Sequence, residues 1–363
     1  MKQLTEVLEH AANRRSFLKN SLVAGAVATV GAGILGSGLP AFARQTGGST
    51  ISQGDIAILR FLAAAELIET DLWLQYNELG GLSSGTQNPY QLAFQQLDGD
   101  GSQYITSNTL DEMTHATFLN AYLKSKGAAP VNLDKFRTLP SSQATGAKQI
   151  GRLTNLMQLT VDTSWYVRYR SKKNPDFGAT FPQAVVITDK PAIPLTNADF
   201  SNAAHIQAIA DTAAFHFGTI EQGGSSLYSA MAQKANNVEV LRIVVSIGGD
   251  EVAHLVEWVD FAGNAASAPL APLTDPITGL TIPDLNASGS PLTQTNLIFP
   301  IPCEFIEASL PRCAVIRPSE PDGIAAGAVQ FLTDSGLFAG QSVEFFDQLN
   351  ALATAADAAQ RGF

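Results

Sequence analysis

Apolar residues recur every three or four positions over residues 55–79, 108–126, 203–233 and 238–262, the spacing of long amphipathic helices. Gly80 and Gly81 close the first of these, and Gly127 and Pro130 stop the second. Asn108 stands where a cap for the second helix is expected. Residues 146–170 read as an additional helix, and residues 322–333 and 342–360 as two shorter ones. The helical period fails elsewhere. Residues 80–107 are rich in Gly, Asn, Pro and Ser, residues 174–197 in Pro, Thr and Val, and residues 268–302 in Pro and Gly. The first is expected as loop, the second as an extended insertion, and the third as loop or short β ribbon. The pattern predicts an all-α core over residues 52–262 with a long crossover insertion at 128–202, followed by a loop-rich C-terminal extension, 263–363.

The first 43 residues are set apart from this core. Arg14 and Arg15 precede Ser16-Phe17-Leu18-Lys19 and a Gly/Ala-rich apolar stretch, and Ala41-Phe42-Ala43 follows as a small-x-small cleavage pattern. This is the layout of a twin-arginine secretion signal, so the chain is expected to be exported to the periplasm or outside the cell. No later segment is apolar for long enough to span a bilayer, so no stable membrane insertion is expected after cleavage. A net charge of −11 argues against nucleic acid or anionic lipid as a partner and suits the attraction of cations. The two cysteines, Cys303 and Cys313, are expected to form a disulfide in an oxidising compartment.

Candidate chemistry comes from an internal echo. Asp111-Glu112-Met113-Thr114-His115 is repeated as Asp250-Glu251-Val252-Ala253-His254. A helix with an inward-looking glutamate precedes each copy, and an aromatic residue follows that glutamate seven positions later: Glu66 with Trp73, and Glu221 with Tyr228. Two such pairs of helices can be related by a pseudo-twofold axis. On a helix, positions three apart differ by about 60° in direction and about 4.5 Å in rise, so each Glu-x-x-His offers an oxygen and a nitrogen to one ion. Two of these helices opposed across a bundle, with one further glutamate from each remaining helix, give four carboxylates and two imidazoles. That set balances two divalent cations and suits iron or manganese better than zinc or copper. The expected ligands are therefore Glu66, Glu112, His115, Glu221, Glu251 and His254.

Glu69 shares a face with Glu66, but Glu66 lies in the more apolar run 61–68 and is preferred, with Glu69 expected behind it or in solvent. Gly223 and Gly224 inside a helix either thin the wall beside the metals or permit close helix packing. Asp111 and Asp250 either hold a ligand histidine of another helix or lie in solvent. His205 and His216 are weaker candidates; His216, five residues before Glu221, falls off its face.

The stretches around Glu66, Asp111–His115, Glu221 and Asp250–His254 resemble the four helices of the bacterial ferritin-like domain family, which includes twin-arginine-exported and desiccation-related proteins. The resemblance covers about residues 56–261. It implies a ferritin-like four-helix bundle and places the six residues above at di-metal ligand positions. It also implies redox chemistry with oxygen, peroxide or ferrous iron, or alternatively a non-catalytic metal-binding or stress-protective role at the envelope. The expected partner is accordingly a small oxidant or a metal ion. The crossover at 128–202 exceeds a simple ferritin connection, which argues against assembly into a cage.

Overall fold

The structure, a computed structural model, describes residues 51–82, 87–172, 181–295, 299–316 and 320–362. The expected secretion signal and its cleavage pattern lie outside the described residues. Four long helices form the core: α1 (Gln53–Gly80), α3 (Gly101–Ser125), α5 (Ala203–Lys234) and α6 (Val238–Ala265). A short helix, α2 (Pro89–Leu97), precedes α3. Side-chain caps fix three of the starts. Ser52 and Asp55 form a reciprocal capping box at α1, Asn202 accepts from Ala204 and His205 at α5, and Asn237 accepts from Glu239 at α6.

Each half of the core is an antiparallel helix pair, α1 with α3 and α5 with α6. Thr106 donates to Asn77 and Thr109 to the Trp73 carbonyl in the first pair, while Ser225 donates to the Glu251 carbonyl in the second. The Asp55 carboxylate accepts from the backbone of Asn236 at 2.9 Å, tying the start of α1 to the turn between α5 and α6. Apolar side chains fill the interior, among them the fully buried Trp73, Tyr76, Phe94, Phe217 and Trp258. Trp73 stacks on both Phe217 and Trp258.

Two expectations about local structure are corrected. Residues 80–107 are not simply loop: α2 occupies part of them, and α3 begins at Gly101 rather than after Asn108. Asn88 caps α2, accepting from Gln91 while Gln91 accepts from Asn88, with Pro89 at the first helical position. Asn108 is therefore a buried residue in mid-helix.

The expected helix at 146–170 is also absent apart from its end, α4 (Ser164–Arg170). Strong buried polar anchors override its weak helical period. The Asp71 carboxylate accepts from the backbone amides of Leu153 and Thr154 at 2.9 Å each, from the Thr154 hydroxyl and from Arg137. Arg152 pairs with Glu78, both of them buried. Gly151 packs where a Cβ would strike the Arg137 carbonyl. These contacts bind the crossover flat against α1. Within it β1 (Leu159–Val161) pairs antiparallel with β2 (Ile187–Lys190).

Beyond α6 the chain forms a two-stranded ribbon, β3 (Leu273–Thr274) with β4 (Thr281–Ile282), then helices α7 (Ile324–Asp334) and α8 (Val343–Asp357). These segments pack on the bundle. His205 on α5 meets Asp275 at 2.9 Å, Lys234 donates to the Asp357 carbonyl, and the Asp357 carboxylate accepts from the start of α7. Cys303 and Cys313 form a backbone pair that exchanges two hydrogen bonds, of 2.9 and 3.0 Å. Such a pair holds its Cα atoms about 5.5 Å apart, within disulfide reach.

Candidate metal centre

The four long helices bring Glu66, Glu112, His115, Glu221, Glu251 and His254 into one buried cluster at the middle of the bundle. The four glutamates are fully buried and the two histidines nearly so. The imidazole ring centres are 6.3 Å apart. Both rings turn Nδ1 inward. His115 Nδ1 lies 3.5 Å from Glu66 Oε2, 3.3 Å from Glu112 Oε2 and 3.6 Å from Glu251 Oε1. His254 Nδ1 lies 3.1 Å from Glu112 Oε1 and 3.3 Å from Glu221 Oε2. Glu112 thus turns one oxygen toward each histidine, and the cluster divides into a Glu66–His115 half and a Glu221–His254 half.

The pseudo-twofold relation is carried through the surrounding contacts. Trp73, seven residues after Glu66, donates to Glu221 at 3.1 Å; Tyr228, seven after Glu221, donates its hydroxyl to Glu66. Each aromatic residue therefore serves the glutamate of the other half. The aspartates behave likewise. Asp250 approaches Nε2 of His115 at 3.2 Å, and Asp111 approaches Nε2 of His254 at 3.4 Å. Each aspartate fixes the histidine of the opposite helix, so that Nδ1 is the nitrogen left for the interior. Asp111 and Asp250 are about half exposed, which places the histidine side of the cluster close to solvent.

Two residues of the cluster escaped the sequence. Glu69 is neither behind Glu66 nor in solvent. It is buried, and its carboxylate groups with those of Glu221 and Glu251. Asn108, expected as a helix cap, donates from Nδ2 to Glu112 at 2.7 Å and to Glu221 at 3.2 Å, while its Oδ1 accepts from Trp258 at 2.7 Å. The signal for Glu69 was its helical spacing from Glu66, and for Asn108 its position one turn before Glu112.

Among the described residues, the two other histidines do not join. His205 sits between Asp275 and Asp199. His216 bonds through Nδ1 to the Tyr76 hydroxyl at 2.7 Å, and burial pushes it down to about 3, so it stays neutral.

The electrostatics show a site short of positive charge. Burial raises Glu112 to about 7, against the lowering effect of its hydrogen bonds with the two histidines. Burial first, then the charges of Glu112 and Glu69, hold Glu251 well above the usual carboxylate range; Glu69 is raised in the same way by burial and then by Glu112 and Glu221. Burial disfavours the imidazolium of His115, but hydrogen bonds to Glu112 and Glu66 prevail and raise it to about 10. For His254 burial is likewise outweighed, chiefly by Glu221, and the shift is also upward.

Several carboxylate oxygens in this cluster are poorly satisfied: both of Glu251 and Oε1 of Glu69 accept no hydrogen bond, and Oε2 of Glu66 and of Glu221 face only a histidine Nδ1, at 3.5 and 3.3 Å. A buried anion without a donor is strongly unfavourable unless a cation faces it. The α5 backbone is also shaped around the cluster, since a Cβ on Gly224 would overlap Glu251 Oε2. Gly224 therefore thins the wall beside the carboxylates, one of the two roles expected for the glycine pair. The donor set, oxygen-rich with two imidazoles, fits a pair of divalent transition ions.

A sequence model of the ferritin-like domain matches residues 54–260, more than half of the chain. The chain belongs to this family. No curated protein and no solved structure gave a significant match. The ferritin-like match stops before the β3–β4 ribbon, so α7 and α8 lie outside it. Among the described residues no helix is long and apolar enough to cross a membrane.

Proposed function

We propose that this ferritin-like chain binds two iron or manganese ions and carries out redox chemistry with oxygen, peroxide or ferrous iron. Glu66, His115, Glu221 and His254 would each serve one ion, and Glu112 and Glu251 would face both. The observation that carries this reading is the arrangement of Glu112, with one oxygen toward each histidine, among buried carboxylate oxygens that accept no hydrogen bond. Bound redox ions would supply the electrons that reduce an oxidant. The chain's own part is to hold that charge in a dry interior. Asp250 and Asp111 orient the histidines, Tyr228 and Trp73 donate to the outer glutamates, and Asn108 donates to Glu112.

The test is elemental analysis of the purified protein, followed by oxygen uptake with ferrous iron and by peroxide decay. About two Fe or Mn per chain with turnover of one oxidant is the expected result. A protein that binds the ions but turns over none of these oxidants would instead favour the non-catalytic, stress-protective role. A stable metal-free protein would reject both readings. The leader at residues 1–43 supports export by the twin-arginine route, and a secreted form beginning at Arg44 is expected by N-terminal mass spectrometry.

A further inference from the structure

The two sides of the carboxylate cluster differ in character. The histidine side opens through Asp111 and Asp250 toward water. On the Glu69 side lies an apolar chamber of about 60 Å³. Its floor is Ala65, Glu69 and Leu72 of α1 with Ile220, Gly223 and Gly224 of α5. Its roof is Ala328, Val329 and Leu332 of α7, with Leu349 of α8. The family match ends before these roof helices, so the chamber is completed by a segment that lies outside it.

Three floor and wall residues connect the chamber to the cluster. Glu69 groups with Glu221 and Glu251, Gly224 lies against Glu251, and Tyr228, which also lines the chamber, donates to Glu66. Glu69 is more than nine-tenths buried, and its Oε1 has no hydrogen-bond partner.

We propose that this chamber is the docking site through which a small apolar oxidant, dioxygen, reaches the centre, with Glu69 and Gly224 at its inner end. The inference rests on the metal-binding reading above and narrows its choice of oxidant. Size and polarity decide the ligand class. A dry cavity of about 150 Å³ holds benzene, so a space well under half of that admits a diatomic molecule but not a ring. A hydrated ferrous ion or hydrogen peroxide would exchange its water contacts for an almost wholly apolar lining, an unfavourable transfer. Dioxygen has no such contacts to lose. Gly224 lets the Glu251 carboxylate lie directly against the chamber wall, since a Cβ there would overlap its Oε2.

Xenon, an apolar probe of similar size, tests the site on the full chain. Crystals of the metal-loaded protein under xenon pressure are expected to show the gas between Ala65, Gly223 and Leu332. In Ala328→Phe the xenon is expected to be lost, and the ratio of the dioxygen to the peroxide oxidation rate to fall by about tenfold. Leu332→Ala, which enlarges the space, is expected to raise xenon occupancy and guards against a misfolded Ala328→Phe. Absence of xenon from the chamber in wild type and in Leu332→Ala would overturn the proposal. So would an unchanged rate ratio in an Ala328→Phe protein that has lost the gas. Metal content measured on the same samples separates the two failures. With about two ions bound and no xenon, only the chamber falls; with no ions bound, the metal-binding reading falls and the chamber's role falls with it.

Discussion

The two halves of the bundle, α1 with α3 and α5 with α6, are alike where they hold the cluster and unlike just beside it. The repeated positions are Glu66 and Glu221, Glu112 and Glu251, His115 and His254, Asp111 and Asp250, and the aromatic donors Trp73 and Tyr228. The aromatic donors and the aspartates reach across to the other half, as do Glu112 to His254 and Glu251 to His115, so neither pair of helices completes its own site. Three corresponding positions break the repeat: Glu69 against Gly224, Asn108 against Ile247, and Trp258 against Leu119. Each gives its polar group to the Glu221–His254 half. Glu69 adds a carboxylate beside Glu221, Asn108 donates to Glu221, and Trp258 holds Asn108. The symmetric residues supply four carboxylates, enough to balance the two cations proposed, while the asymmetric ones would make the two proposed positions chemically distinct.

The sharpest way to break this comparison is to remove a residue that serves both halves. Glu112→Ala is expected to abolish binding of both ions, whereas Glu66→Ala and Glu221→Ala should each retain about one per chain. Elemental analysis of the three variants checks this. Equal loss in all three would mean that the halves do not act separately.

The next effect concerns the metal-free protein and its pH dependence. Glu112 is raised from an ordinary 4.5 to about 7, so its contribution to stability is complete below 4.5 and is lost as pH rises through 7. His115 is raised from 6.5 to about 10, so its contribution is complete below 6.5 and is lost as pH rises through 10. Both act in the same direction. The metal-free protein is therefore expected to lose about 3 kcal/mol between pH 4.5 and 7 from Glu112 alone. Bound divalent ions would replace the missing positive charge, so the metal-loaded protein should melt at a nearly constant temperature over this range. Thermal melts of both forms across pH test the point.

A smaller effect is expected from imposing the symmetry that evolution left out. Asn108→Ile copies the residue found at the corresponding place on α6. It removes donors from Glu112 and Glu221 and leaves the buried Trp258 Nε1 without its acceptor, at a cost of about 1–3 kcal/mol by chemical denaturation. The smallest effect belongs to the half-exposed aspartates. Asp111→Asn and Asp250→Asn should each weaken metal binding by about tenfold, each in the half containing the histidine it touches. Competition with a chelator measures both, and equal weakening of the two positions in either variant would argue against the crossed pairing.

How far the sequence revealed all this follows the same division. The four long helices and the meeting of six side chains in one buried cluster were legible because helical period and internal repetition reinforce each other at Glu66, Glu112, His115, Glu221, Glu251 and His254. Glu69 and Asn108 have no repeated partner, so the pattern ranks Glu69 behind Glu66 on the face they share and reads Asn108 as a helix cap. The crossover was misread for a different reason. A helical period at 146–170 is a local signal, but Asp71 and Glu78 lie some 70 to 80 positions earlier in the chain and capture that segment through backbone amides and Arg152. A long-range anchor of this kind leaves no mark in a short window of sequence. The helix at Pro89–Leu97 did leave one, in the cap formed by Asn88, Pro89 and Gln91.

The central claim is that the two crossed halves hold one ion each. Anomalous diffraction from crystals of the metal-loaded protein, collected at the iron and manganese absorption edges, tests it most directly. Two separate peaks are expected, one beside Glu66 and His115 and one beside Glu221 and His254, with Glu112 reaching both. A single peak, or metal found only at the exposed aspartates, would contradict the account.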